Sequence, residues 1–494
     1  MRNRSIGFVF VSVFVWGVIT YFLFLDRPVG RQQNEEHALS NQINKLSNEV
    51  RQQITANQQL FQRLLERELS KKKEEEAAAA RNLAINRKKE DSVIHDVNEA
   101  HEKNVLPETS TRPNEELNVD LIDPERILKQ EAKDREEKLR GIATKKTLAD
   151  GSPIIAVLVF SCNRLTVQRC LDQLIKFRPS VEQFPIIVSQ DCEHQQTADI
   201  IRSYGDQVIH IQQPDQSDID IPLREKKFKG YFKIARHYGW ALNHVFLEFG
   251  FETAIVVEDD LDVAPDFYEY FLGTYPILVA DKSLWCVSAW NDNGKSGLVD
   301  EKASANLYRT DFFPGLGWML TRKLWTELSP KWPKSYWDDW IRQPEQRKNR
   351  ACIRPELSRT RTFGKIGVSN GLFYEKHLKF IKLNEQFVPF TTMNLTYLLK
   401  DNYDIAFVNE VYQSTVISYS ELKSGNIKSS GPVRIPYYTR QSYKNTAKML
   451  GLMDDFRSGV PRTGYRGVVT FFYNGRRVHL APNANWNGYD ITWS

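Results

Sequence analysis

Hydrophobic and polar positions divide this chain of 494 residues into three textures. From Ile6 to Leu25, twenty residues pass without a charge, long enough for a helix to cross the hydrocarbon core of a bilayer. Arg2 and Arg4 precede the run, which places the N-terminus in the cytosol. Asp26-Arg27-Pro28 follows it where a cleavable signal would carry small residues. The pattern predicts an uncleaved type II transmembrane anchor with the rest of the chain on the luminal or outer side. Between 26 and about 150, Gln, Glu, Lys, Asn and Ala dominate. Leu39, Ile43, Leu46, Val50, Leu60 and Leu64 step by fours and threes, with Gln53 and Asn57 in the intervening slots. That spacing suits a weak coiled-coil seam and a homodimer, while the composition suits a disordered spacer equally well. Either way the segment reads as a stem.

From Pro153 the texture is that of a packed domain. Ile154–Phe160 is an unbroken apolar run, the mark of a strand buried on both faces, and it ends at Ser161-Cys162-Asn163-Arg164. Val167, Cys170, Leu171, Leu174 and Ile175 then recur at helical spacing. Pro185–Cys192 and Val208–Ile211 read as further strands. Tyr231, Ile234, Ala235, Tyr238, Leu242, Val245, Phe246 and Phe249 stripe a helix that precedes the strand Ala254–Val257. Leu284–Trp290 is another strand. Strand and helix alternating in this way predict an α/β fold with a largely parallel sheet covered by helices. In the last hundred residues two short strands flank Asn474-Gly475, a strong hairpin signal, and predict a smaller C-terminal β-containing domain.

The most informative stretch follows Val257. Glu258, Asp259 and Asp260 stand side by side at the C-terminal end of a buried strand, where open α/β sheets bind their ligands. Adjacent carboxylates repel, and a set of oxygen ligands without Cys or His suits Mg²⁺ or Mn²⁺ on a diphosphate; a solvated acidic turn is the plainer alternative. Neither a G-x-G-x-x-G nor a P-loop motif occurs, so phosphate must be met by metal and side chains. No G-x-S-x-G elbow supports a serine nucleophile. With 67 basic against 62 acidic residues the formal net charge is only +5. No zinc-finger spacing or long basic arm accompanies it, which argues against a nucleic-acid partner. Arg164 and Asp191 fall at strand ends on the rim shared with the acidic triplet. There an arginine suits the nucleotide end of a donor, and a carboxylate can accept the N3–H of uracil. A surface ion pair or turn would place them equally well. Cys162 and Cys192 would end neighbouring strands about 4.8 Å apart, within disulfide reach, and Cys170 reads as a core thiol. In Trp332–Trp340, aromatic residues surround Asp338 and Asp339, a composition that packs on pyranose C–H faces and offers one general base. Acids outside a tryptophan-rich turn are the alternative. Trp290-Asn291-Asp292-Asn293 is a further polar strand exit, and His237 lies on the shoulder of its helix stripe, a position more often structural.

Several long strings carry a resemblance. Ser189-Gln190-Asp191-Cys192, Glu258-Asp259-Asp260, Cys286–Asp292, Asp311–Trp318 and Tyr336–Trp340 together resemble the N-acetylglucosaminyltransferase I family, from about residue 153 to the C-terminus. The resemblance implies a GT-A type, Rossmann-like nucleotide-sugar domain in a Golgi membrane enzyme. It implies inverting transfer of N-acetylglucosamine from UDP-N-acetylglucosamine, in β1,2 linkage, to the α1,3-arm mannose of a five-mannose N-glycan on a glycoprotein. By motif, Asp260 would hold Mn²⁺ against the diphosphate, Asp259 would contact the donor ribose, and Glu258 would face the transferred sugar. Arg164, Asp191 and His237 would bind the nucleotide end, and Ser369 would sit in a loop closing over the donor. Asp338 would be the general base on the mannose O2 hydroxyl. Bridges Cys162–Cys192 and Cys286–Cys352 are implied, with Cys170 free. Asn163 departs from the family, which often has Asp beside the arginine. The expected organisation is a cytosolic tail (1–5), anchor (6–25), stem (26–150), donor-binding domain (151–365), closing loop and linker (366–400) and C-terminal domain (401–494). Two rival readings are a protein O-mannose β1,2-N-acetylglucosaminyltransferase and an inactive, membrane-anchored sugar-binding scaffold.

Overall fold

A computed structural model describes residues 124–365, 367 and 371–493. Within the segment expected as stem, Pro124–Lys145 forms helix α1, and its Leu139 and Ala143 are buried in the core. The sheet is built from β1 (Ala156–Ser161), β2 (Ile186–Gln190), β3 (Val208–Gln212), β4 (Thr253–Glu258), β6 (Leu284–Ser288), β7 (Leu307–Thr310), β8 (Trp318–Thr321) and β9 (Ala351–Pro355), with the short β5 (Leu261–Val263) lying outside it. The eight strands run in the order β3-β2-β1-β4-β8-β6-β9-β7. Strands β3, β2, β1 and β4 are parallel, and β8 runs antiparallel to both β4 and β6. The C-terminal ends of β1, β2 and β4 therefore share one edge.

Why β1 carries no polar residue before Ser161 follows from its two neighbours in depth. Ile155, Val157 and Val159 face a core that includes Val167, Leu171 and Leu174 of helix α2 (Val167–Phe177) and Phe267 and Phe271 of α3 (Phe267–Ala280). Ala156, Leu158 and Phe160 face another, with Ala235, Tyr238 and Leu242 of α4 (Lys229–Asn243) and Leu324 and Trp325 of α5 (Arg322–Leu328). With helices on both faces, period-two alternation disappears and a continuous apolar run remains.

Strand β5 pairs antiparallel with β10 (Thr360–Thr362), so the chain leaving β10 passes directly over the acidic corner. The C-terminal part forms a four-stranded sheet in the order β11-β12-β16-β15, from Thr415–Val416, Val433–Pro436, Arg476–Ala481 and Val469–Tyr473. The hairpin turns at Asn474-Gly475, whose φ angles of 47° and 77° are those of a two-residue left-handed turn. Val433, Tyr443, Phe471 and Leu480 make a core beneath this sheet, while Tyr465 and Val468 pack into the main core. Arg477 clasps the buried Glu356 with two 3.0 Å contacts. A small hairpin of β13 (Phe456–Arg457) and β14 (Val460–Pro461) precedes β15.

One group of expectations is corrected. Among the described residues no helix is long and apolar enough to cross a membrane. The longest, α1, has 22 residues but carries charge along its whole length, and the run 6–25 lies outside the described residues, as do the heptad positions of the stem. The transmembrane helix, the signal-anchor and type II topology, the membrane contact and the Golgi-membrane placement are accordingly withdrawn.

Candidate functional site

The rim of the sheet gathers most of the residues singled out above. Backbone bonds extend the ladder past the strand ends: Asp191 N donates to Ser161 O at 3.0 Å, and Asp259 N to Phe160 O at 3.0 Å. Asp191 and Asp259 are thereby fixed on either side of β1. Cys162 and Cys192 are bridged at this edge with a Cα separation of 5.2 Å, and Cys286 and Cys352, paired in register on β6 and β9, are bridged at 4.7 Å. Cys170 is free and buried.

Arg164, just beyond β1, reaches across to the triplet. Its Nη1 donates to Asp259 Oδ1 at 3.4 Å and also pairs with Asp260 Oδ2. Ser161 Oγ donates to Asp259 Oδ2 at 2.9 Å. Glu258 receives the phenol of Tyr238 at 2.9 Å. Burial pushes the Glu258 carboxyl up to about 7, and the neighbouring Asp260 adds to the effect. Burial likewise raises Asp259 to about 6, against the pull of Arg164. Three carboxylates against one arginine leave this corner short of positive charge.

That deficit bears on a metal. Among the described residues no group of three or more His, Cys, Asp and Glu is arranged to hold an ion, so a cage made wholly of protein does not fit. A site of the Mg²⁺ or Mn²⁺ kind, with one or two carboxylates and the remaining ligands from substrate phosphates and water, does fit. Asp260 offers a carboxylate at this corner, its Oδ2 paired with Arg164. The backbone is pressed against it: Phe363 N donates to Asp260 O at 2.9 Å, and a Cβ added to Gly364 would overlap Asp260 Oδ2. Gly367 approaches Arg164 closely. Ser369 lies outside the described residues.

His237 stands beside Tyr238 on α4. Its Nε2 is 2.8 Å from Ser189 Oγ on β2, and burial lowers its pKa to about 4, so the imidazole is neutral near pH 7. Asp191 is buried and accepts from Gln216 Nε2 at 3.2 Å.

The acidic aromatic segment forms the short helix α6 (Trp337–Ile341), entered through Tyr336 in a left-handed conformation with φ 49°. Tyr238 links it to the triplet. The Tyr238 ring stacks on Phe160 of β1 at 3.8 Å and on Trp337 at 4.5 Å, while its hydroxyl holds Glu258. Such contacts contribute on the order of 0.5–1.5 kcal/mol each beyond burial. Asp338 and Asp339 are both gripped by the buried Arg342, whose Nη1 donates to Asp338 Oδ2 at 2.9 Å and to Asp339 Oδ1 at 3.2 Å. Arg342 Nε is spent on Phe313 O at 3.0 Å, which locks the guanidinium in place. Asp292 is buried and paired with Arg462 at 2.8 Å, which makes it a structural joint to the residue that follows the β13–β14 hairpin.

Sequence reasoning passed over Tyr238, Ser161, Ser189, Gly364 and Arg342 as members of the site. Tyr238 was hidden as one more apolar position in a helix stripe. Arg342 had a legible signal, since it stands three and four residues after two acids.

The family described as GNT-I matches residues 103–493 of this chain. The alpha-1,3-mannosyl-glycoprotein 2-beta-N-acetylglucosaminyltransferase of Arabidopsis thaliana is 40% identical over 346 residues, which is 69% of this chain and 76% of that protein. The chain is therefore an enzyme, a hexosyltransferase that transfers from a nucleotide sugar. Within that class it belongs to the GNT-I family. Solved structures with fainter likeness include glucosyl-3-phosphoglycerate synthase from Mycobacterium tuberculosis with Mg²⁺ and uridine diphosphate. It is 15% identical, covers 44% of this chain and 72% of that one, and has a TM-score of 0.27. A mannosyltransferase from Pyrobaculum calidifontis with GDP-Man and Mn²⁺ is 13% identical over 41% of this chain and 56% of that one, with a TM-score of 0.25. Neither contributes to the assignment at that level of likeness.

Proposed function

We propose that this enzyme moves N-acetylglucosamine from UDP-N-acetylglucosamine, with inversion, to form a β1,2 linkage on the α1,3-arm mannose of a five-mannose N-glycan. The observation that carries the reading is the joint made by Tyr238, whose hydroxyl holds Glu258 while its ring stacks on Trp337, the neighbour of Asp338. The relative's name supports the choice of transferred sugar, acceptor class and linkage.

In this reading Asp191, Arg164 and the neutral His237 bind the nucleotide end. Asp259, held by Ser161, contacts the ribose. Asp260 holds Mn²⁺, which when bound supplies neutralisation of the charge that gathers on the departing diphosphate. Glu258, oriented by Tyr238, faces the transferred sugar. An α-linked donor giving a β-linked product requires a single in-line displacement, so one general base suffices and no covalent nucleophile is needed. Asp338 takes the proton from the mannose O2 hydroxyl. Arg342 occupies Oδ2 of Asp338 and leaves Oδ1 for the acceptor, and the Asp338 side chain is 45% exposed, as a base that must meet an incoming sugar should be.

The full chain is to be incubated with UDP-N-acetylglucosamine, Mn²⁺ and a defined five-mannose oligosaccharide, and the linkage of the product determined. A β1,2 product on the α1,3 arm is expected. Transfer to an O-mannosyl peptide in preference to the glycan, or release of no UDP with either acceptor, would overturn the assignment.

A further inference from the structure

Asp339 stands beside the proposed base yet has no part in the chemistry above. Its side chain is 46% exposed, and it is held from two directions. Arg342 Nη1 reaches Oδ1 from below at 3.2 Å, and Arg457, on β13 of the C-terminal hairpin, reaches the same oxygen through Nε at 3.3 Å. Arg457 is itself 37% exposed. Exposed ion pairs contribute little to stability, typically below about 1 kcal/mol, so stability alone is a weak reason for an arginine to be brought here from more than a hundred residues away. What the pair does present beside Asp338 is a carboxylate acceptor and a planar set of N–H donors, with no net charge. Before Asp338 in the chain the other requirement for sugar binding is met. Tyr336 is partly exposed, and its ring stacks on Tyr231 at 4.6 Å with Phe228 at 6.1 Å, a rigid aromatic platform.

We propose that Arg457 and Asp339, with the Tyr336 ring, form a subsite for a neutral sugar residue of the acceptor adjacent to the mannose that reacts. The carboxylate accepts from one hydroxyl of that sugar, the guanidinium donates to its neighbour, and the aromatic face covers the C–H surface. The β13–β14 hairpin thereby contributes to acceptor selection. Arg457 and Asp339 are positioning residues in this scheme and touch no reacting atom. The proposal rests on the acceptor side of the function proposed above.

The test compares two acceptors on the full chain, the five-mannose oligosaccharide and a simple methyl mannoside, with Arg457→Ala, Arg457→Lys and Tyr336→Ala. Loss of a charge-assisted hydrogen bond predicts about a ten-fold rise in KM for the oligosaccharide in Arg457→Ala, kcat within about two-fold, and no change for the methyl mannoside. Arg457→Lys should recover part of the loss, and Tyr336→Ala should match the Arg457→Ala pattern. Unchanged KM for the oligosaccharide, or an equal change for both acceptors, would overturn the subsite. Saturation-transfer NMR of the oligosaccharide on the full chain without donor separates the two readings. If the wild type transfers to neither acceptor, the proposed reaction fails, while loss of the NMR contact in Arg457→Ala still supports the subsite and its persistence refutes it.

Discussion

Gly364→Ala is the sharpest test of the acidic corner, because the substitution touches Asp260 without altering any charge. The added Cβ would overlap Asp260 Oδ2 and sit 2.6 Å from Cγ and 2.9 Å from Cβ, where ordinary contact begins at 3.4 Å. Rotating the carboxylate relieves the first two contacts and leaves the third, so either the β10 exit or the Asp260 backbone must also shift. Overpacking of this size costs about 1–3 kcal/mol. The carboxylate cannot then keep its pairing with Arg164. If Asp260 holds the cation, misplacing it should weaken metal-dependent binding about 10- to 100-fold, the range found when the supports of a metal ligand are disturbed. Calorimetric titration of UDP into the full chain at several Mn²⁺ concentrations reads this directly, with Asp260→Ala as the comparison and a melting curve to confirm that the variant is folded. A folded Gly364→Ala protein with the wild-type Mn²⁺ dependence would refute the reasoning and remove Asp260 from the metal site.

Three further outcomes are expected. Asp338→Ala should bind UDP-N-acetylglucosamine as the wild type does and lose about 10²- to 10⁴-fold in kcat; near-normal turnover would transfer the base to Asp339. Tyr238→Phe keeps both ring stacks and deletes the donor to Glu258, so unfolding by urea should show a loss of about 1–3 kcal/mol, and an unchanged midpoint would mean that water replaces the phenol. His237 has a folded pKa of about 4 against 6.5 in the unfolded chain, so the unfolded state binds the extra proton. Its contribution is complete above pH 6.5 and is lost as pH falls toward 4, at no more than about 1.4 kcal/mol per pH unit. Urea midpoints at pH 7, 6 and 5 should therefore converge between wild type and His237→Gln; parallel curves would show that the imidazole is not held neutral.

Much of the site was legible because it depends on where strands end. A strand covered on both faces is apolar along its length, so the first polar residues after Phe160, Val188 and Val257 mark one edge of the sheet, and Arg164, Asp191 and the acidic triplet fall there by local pattern alone. The pairing of Cys162 with Cys192 follows from the same edge. The transmembrane reading shows the limit of such patterns: apolar length in the sequence raised an expectation that no described helix supports.

Sequence by itself therefore determined the strands, the stripes of the covering helices, the Asn474-Gly475 hairpin and the identity of the acids, since each follows from periodicity or turn chemistry within a few residues. Tertiary structure alone decided that Tyr238 would join Glu258 to Trp337, that Gly364 would press on Asp260, and that Arg457 would cross from the C-terminal hairpin to Asp339. These contacts link residues 20 to more than 100 positions apart. They are set by how helices and hairpins pack on the sheet edge, and packing across that separation leaves no period in the chain to read.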